Sequence, residues 1–430
     1  MIDKLNQYNL DVFAILLLLL SIPLNYGISN ATLIFLILTS LFISKKITIN
    51  IGLMLPIFLY VLMLFSYFWS IDKSVTIQSL LKEVSLFLVP ISFFLFGKIE
   101  ENQFKKIVLY YAYGIAIYSL VFLLIAFYKY LNTNDIAVFY YHELVTKDVN
   151  AIHFSIFVSI SIFILLLYGK KNLYNYILMS FLGIFLLLLS SKTVIFSFVV
   201  LLLFYEIFYS KIAQRLRLRN IIIFGILIIS MLFIGKVKER FMSEFQANTT
   251  KSISHNVIDK NPSTVNIISM KEAWNNHTFS PNDYFPGSAF RVYQSRVFFE
   301  LMQENKVYLT GFGLGASQEK IKVKTLNYNL FSGNEFQEGY QNKNFHNQYF
   351  QIFSEIGIFG FLILIVMIGY SIQKSLKYKN FIFFAFISLM MIVFFTESFL
   401  WRQRGILFFI TLYCVFHQLN LEKKTIINNN

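Results

Sequence analysis

The chain has 430 residues, of which 57% are hydrophobic and 14% charged, with a formal net charge of +14 at pH 7. Soluble domains carry about 25% charged residues, so this composition excludes a soluble globular fold. The single cysteine, Cys414, excludes a disulfide framework and a cysteine-rich metal site.

A helix needs about 20 apolar residues to cross the bilayer core. Windows of that size give about twelve candidate spans, at 11–28, 31–44, 51–69, 84–97, 107–128, 151–168, 174–190, 193–209, 220–235, 348–370, 379–396 and 405–418. The second and fourth are short. The first run, DVFAILLLLLSIPLNYGI, has no small-residue cleavage site and leads into further spans, so it reads as a span and not as a cleavable signal. The predicted fold is all-α and polytopic. No internal repeat suggests an inverted-repeat transporter.

The basic residues follow the connections. With a cytoplasmic N-terminus, the inside segments hold Lys4, the pairs Lys45–Lys46, Lys105–Lys106 and Lys170–Lys171, the 211–219 cluster, Lys374–Lys379 and Lys423–Lys424. The short outside segments hold far fewer. Basic bias in short loops sets orientation, so both termini are expected in the cytoplasm. The net charge is then a record of topology, with a polybasic face for anionic lipid as a weaker addition. Nucleic acid is not an expected partner.

One connection differs. Residues 236–346 are polar, carry Gly, Pro, Asn and Ser clusters, and lie on the outer side. They include a helical stretch, AFRVYQSRVFFELMQEN at 289–305. Long structured loops usually carry function. A disordered spacer would not need Trp274, Tyr284, Phe285, Phe290, Phe298 and Phe299. The chain therefore divides into spans one to nine (1–235), a large outer loop (236–346), and spans ten to twelve with a tail (347–430).

Polar groups near membrane depth are costly and point to function. Lys192, in LLLLSSKTVIFSF, sits in a tight turn between two apolar runs, either snorkelling to headgroups or facing an anion. Arg291 and Arg296 lie on the loop helix, and arginine presents a planar fork suited to phosphate. On an exposed helix the same residues are often only solvated. Gly311, Gly313 and Gly315 alternate, so the backbone there can bend closely round a ligand or a neighbouring helix. Their spacing is not the dinucleotide fingerprint.

His346 follows YQNKN and precedes the tenth span, with Asn344 as the expected helix cap. A helix N-terminus facing outward favours anions. A neutral histidine there can take a proton from a hydroxyl. Asn347 stands beside it. Glu397, Arg402 and Arg404 crowd the last outside turn, where local ion pairing is the simple reading. His142 and His153 are the other outward histidines outside the loop, and no carboxylate cluster accompanies them, so no metal is expected.

These stretches, above all SSKTVIF, SRVFFELMQENKVYLTGFGLGAS and FHNQYFQIFSEIGIFGF, resemble the bacterial O-antigen ligase and O-antigen polymerase family. WSIDKSVTIQSLLKEVSLFLVPI also fits that family's third-to-fourth-span connection. The resemblance covers most of the chain, including some twelve spans, inside termini and one large periplasmic loop. It implies a membrane glycosyltransferase of the inner membrane, similar to the large polyprenol-dependent enzymes. Such an enzyme moves a glycan from undecaprenyl diphosphate to an acceptor at the periplasmic face, without nucleotide, cofactor or metal. His346 matches the family histidine proposed to activate the acceptor hydroxyl. Arg296 matches the loop arginine proposed to hold the donor diphosphate. Lys192 falls where the family usually has arginine, which keeps the charge and loses the fork. Arg291 and Arg402 are additions on chemical grounds, with Asn347, Glu397 and the three glycines in support. The acceptor implied is lipid A core for a ligase, a second lipid-linked glycan for a polymerase, or protein for a third relative. The long loop favours the ligase. A flippase or secondary transporter is the rival class. It would place charge near the bilayer midplane, where these spans have almost none.

Overall fold

The computed structural model of the chain describes residues 9–43, 50–146, 149–210, 252–255, 264–334 and 338–420. The expected ninth span, 220–235, the basic cluster at 211–219 and the first residues of the outer loop lie outside the described residues.

Helices α1 (Leu10–Ser21), α2 (Tyr26–Phe42) and α3 (Ile51–Ser66) take up the first three apolar runs. The short fourth run gains its length from the segment before it. Helix α4 (Lys73–Glu83), capped by Asp72 through a 3.0 Å bond from Val75 N, leads directly into α5 (Ser85–Phe96). Together Lys73–Phe96 make 24 residues, long enough to cross a membrane. Helix α6 (Glu101–Thr133) has 33 residues, and the short α7 (Tyr141–Leu144) leads to α8 (Ala151–Tyr168), α9 (Leu173–Leu188) and α10 (Lys192–Phe208). After the loop come α14 (Gln348–Lys377), α15 (Phe381–Val393) and α16 (Gln403–Gln418). Among the described residues, four helical stretches are long and apolar enough to cross a membrane: Lys73–Phe96, α6, α8 and α14. The remaining spans are shorter.

Helices α8, α15 and α16 form the centre. From Arg404 to Gln418 every residue of α16 is buried, and α15 is buried on nearly all sides. Peripheral helices keep apolar residues outward, such as Ile117, Leu124 and Leu131 on α6. That pattern suits lipid, which is as apolar as a protein core. Buried serines on α8 hydrogen-bond back one turn, as Ser155 to Ala151 O (2.7 Å) and Ser159 to Ser155 O (2.8 Å), so no hydroxyl is left unpaired there.

The loop is a folded unit and not a spacer. It contains β1 (Ser252–His255), β2 (Thr264–Ile267), α11 (Met270–Asn275), β3 (Asp283–Tyr284), α12 (Gly287–Asn305) and α13 (Ser317–Asn327). The three strands form a sheet in the order β1-β2-β3, antiparallel then parallel, a small departure from the all-α expectation. The helix expected at 289–305 begins two residues earlier. The unit has its own apolar core, including Phe279, Phe285, Tyr293 and Phe345. That core rests on α14 through Phe298, stacked on Phe350 at 4.3 Å.

Helix α14 is broken at Gly357, which has φ 72. The loop repairs the break. Phe312 N and Gly313 N donate to Ser354 O (2.8 Å) and Glu355 O (2.9 Å), and Ile358 N donates to Tyr308 O (2.9 Å). A broken helix at membrane depth is tolerated only where protein satisfies the freed groups, and here 308–314 does so.

Candidate active site

Three elements that are distant in the chain meet at one end of the bundle: the first turns of α12, the start of α14, and the turn between α15 and α16. Asn347, not Asn344, caps α14. Its Oδ1 accepts from Tyr349 N (2.9 Å) and Phe350 N (3.1 Å). Asn344 instead accepts from His346 N (3.0 Å). His346 therefore sits just outside the helix, in the left-handed region at φ 47. Residues held in that region cost conformational energy and concentrate at functional sites. Asn347 N reaches across to Ser398 Oγ (3.2 Å), tying this turn to the one that carries Glu397.

His346 Nδ1 lies 3.4 Å from Glu397 Oε2, and Glu397 Oε1 accepts from the Arg291 guanidinium at 3.0 Å. Arg291 also donates to Thr396 O (2.9 Å) and Gly287 O (3.1 Å), which locks its fork. The Glu397 side chain is 11% exposed and that of His346 29% exposed, so the carboxylate is enclosed while the imidazole reaches the surface. Burial pushes the Glu397 carboxyl up, but the hydrogen bond and charge of His346, the Arg291 guanidinium and His153 outweigh it and hold it at about 2. An ionised carboxylate on Nδ1 favours the Nδ1–H tautomer and leaves the Nε2 lone pair for a proton. The Phe290 ring stands edge-on to the imidazole at 5.4 Å and limits its rotation. The simple reading of the last outside turn, in which Glu397 pairs with Arg402 or Arg404, is thus corrected: Glu397 pairs with Arg291 and His346.

Arg296 is not brought to this cluster. It lies five residues beyond Arg291, which on a helix of 3.6 residues per turn faces another direction. Its guanidinium donates to Glu300 (2.8 Å), Asn276 O (2.6 Å) and Tyr328 Oη (2.9 Å), and stacks on the Tyr328 ring at 4.7 Å. Lys324 joins through Glu300 and Glu304. Burial acts to raise the Glu300 carboxyl, yet Tyr328, Arg296 and Lys324 hold it below the usual carboxylate range.

Lys192 is the first residue of α10 and half-buried, behind Ser190 at φ 51. The up-and-down run of α8, α9 and α10 puts it at the same end of the bundle as His346. Arg402 is exposed and precedes α16. Arg404, read from sequence as an outer charge, is buried: it donates to Leu24 O (2.6 Å) and covers the Tyr26 ring at 4.3 Å. His153 is also buried, packed on Phe399 at 4.2 Å beside the site.

Gly311, Gly313 and Gly315 have φ of 68, 99 and 73. Their close approach is to neighbouring helices. A Cβ on Gly311 would lie 2.4 Å from Glu355 C, and one on Gly315 2.2 Å from Ser79 Oγ. Beneath the site runs a polar layer that sequence reasoning did not single out. Gln351 hydrogen-bonds to Glu355, Ser398 and Ser317, and Gln351, Glu355, Glu83 and Gln348 line a cavity of about 10 Å³. That is room for about one water. Nothing in the local sequence marks these residues, because their partners come from remote segments. Among the described residues, no group of three His, Cys, Asp or Glu side chains is arranged to hold a metal ion.

The site as built can accept a proton at a half-buried imidazole whose Nδ1 faces a carboxylate. Residues 176–365 match the family model described as O-antigen ligase. That segment includes Lys192, Arg291, Arg296, His346 and Asn347, while Glu397 and Arg402 lie beyond it. No curated protein matches the chain.

Proposed function

Because residues 176–365 carry the O-antigen ligase domain, the chain is assigned to the O-antigen ligase/polymerase family, and from that premise we propose that it transfers a glycan from undecaprenyl diphosphate to an acceptor hydroxyl. The reaction would take place at the outer face of the bacterial inner membrane. The proposal includes twelve crossings, with both termini inside and the 236–346 loop in the periplasm. The observation that carries it is the His346–Glu397 pair at 3.4 Å, with the imidazole at the surface.

In this reading His346 Nε2 takes the hydroxyl proton as the acceptor oxygen attacks the anomeric carbon. The bond from that carbon to the diphosphate breaks, and undecaprenyl diphosphate leaves with the electron pair. A direct displacement inverts the carbon. Glu397 holds the imidazole and stabilises the imidazolium that forms. Arg291 positions Glu397. The diphosphate charge falls to Lys192 and Arg402, which flank the same end of the bundle as His346, together with the N-terminus of α14. Arg296, expected to hold the diphosphate, would then act by holding the loop unit in shape.

The test uses purified protein in lipid with an undecaprenyl diphosphate-linked glycan. Lipid A core and additional donor are offered separately as acceptors. Product on lipid A core, lost in His346→Ala, is the expected result and makes the protein a ligase. A ladder of lengthened lipid-linked chains makes it a polymerase acting at the same site. Near wild-type transfer by His346→Ala overturns the assignment.

A further inference from the structure

A cavity lies at the opposite end of the protein from His346. It has a volume of about 410 Å³, within the size range of ligand sites. Helix α14 separates the two ends: the residues after its break, 358–377, alone span about 30 Å at 1.5 Å per residue. The cavity is walled by the last turns of α14, the end of α16, the start of α3 and the Lys98 segment.

Its walls are fixed by hydrogen bonds. The His417 carbonyl accepts from both Asn50 Nδ2 (2.7 Å) and Lys374 Nζ (2.7 Å). The floor is closed where Ile99 N donates to Gln418 O (2.9 Å) and Asn420 N to Ile99 O (2.9 Å). Tyr370 stacks on the His417 ring at 5.5 Å and 4°. Lys98, Lys374 and Lys377 all face this space, and among the described residues no lining side chain is acidic. Lys374 keeps two of its three donors after its bond to His417. The positive end of the α3 dipole, capped by Asn50, also opens here.

Three ammonium groups and a helix N-terminus, with no carboxylate among the described lining residues, suit a phosphate group. Ile51, which lines the cavity, is 61% exposed, and Leu376 beside Lys377 is 46% exposed. Ile51 opens the apolar helix α3 and Leu376 lies in the last turn of the membrane-length α14, both facing outward where an acyl chain would lie. We propose that this cavity binds the phosphate headgroup of an anionic phospholipid from the leaflet opposite the His346 site. The shared chemistry with free phosphate is recognition by lysine. The exposed apolar rim favours the lipid. This site is independent of the transfer chemistry.

The test uses the full-length protein in neutral detergent, exposed to phosphatidylglycerol or phosphatidylcholine and examined by native mass spectrometry. Phosphatidylglycerol should be retained preferentially. Retention should fall about tenfold in the K98Q/K377Q variant and persist in K98R/K377R. Both lysines are exposed, and an unchanged melting temperature in neutral detergent confirms that the variants fold. Equal retention of the two lipids, or wild-type retention by K98Q/K377Q, overturns the proposal. If millimolar inorganic phosphate raises the melting temperature of the wild type but not of K98Q/K377Q, while both lipids are held equally, the site takes free phosphate and the lipid assignment is overturned.

Discussion

Glu397 Oε2 lies 3.4 Å from His346 Nδ1, although the whole of α14 and α15 separates them in the chain. The same carboxylate holds Arg291 on the loop helix. One enclosed acidic group therefore links the loop unit, the start of α14 and the turn between α15 and α16.

If Glu397 orients the imidazole, Glu397→Gln should lower the transfer rate on the order of 100-fold. The amide still accepts from Arg291 but carries no charge to favour the Nδ1–H tautomer. A His346→Ala/Glu397→Gln double variant should be no slower than His346→Ala alone, since groups that act as a unit are not additive. Additive losses in single-turnover rates would separate the two residues.

The depressed carboxyl gives a pH signature. Glu397 is held at about 2 in the folded protein, below its ordinary value. Its contribution to stability is therefore present above the ordinary carboxylate range and is lost as pH falls toward 2. The melting temperature difference between wild type and Glu397→Gln should shrink as pH falls below about 4.5. A difference that stays unchanged on acidification to about pH 3 would contradict the pairing.

Arg296 is predicted to matter for the loop and not for donor affinity. Arg296→Lys keeps the charge but loses the fork that reaches Glu300, Asn276 and Tyr328 together. The variant should be destabilised by about 1–3 kcal/mol and cut faster in the loop by added protease. KM for the donor should stay near wild type in the folded fraction. A many-fold rise in KM with unchanged proteolysis would return Arg296 to the diphosphate.

Glycine substitutions separate packing from chance. A Cβ on Gly313, at φ 99, would lie 2.4 Å from Ser70 Cβ. Gly313→Ala should cost at least about 1–3 kcal/mol in backbone strain alone. At Gly369 no atom lies within 4 Å of an added Cβ, so Gly369→Ala on α14 should be neutral or slightly stabilising. Chemical unfolding of both variants in one detergent makes the comparison.

Composition and apolar run length determined the membrane class, because crossing lipid demands long apolar helices whatever they pack against. The positions of most described apolar helices followed for the same reason, and 151–168 matches α8 end to end. The short run at 84–97 did not reveal its true length. Its extension, α4, is polar, and its burial depends on Ser66, Ser70 and Leu314 around it. His346 was legible as a lone base at the start of an apolar helix, and the family likeness singled it out. What the base pairs with was not legible. Glu397 is followed closely in the chain by two arginines, Arg402 and Arg404, yet its partners are Arg291 and His346. The two arginines of α12 look alike in sequence and have opposite surroundings in the fold, one on Glu397 and one on Glu300. The apolar helices follow from local sequence, because run length and hydropathy depend on neighbours along the chain. Which charge meets which depends on segments brought together by packing, and that only the tertiary structure decided.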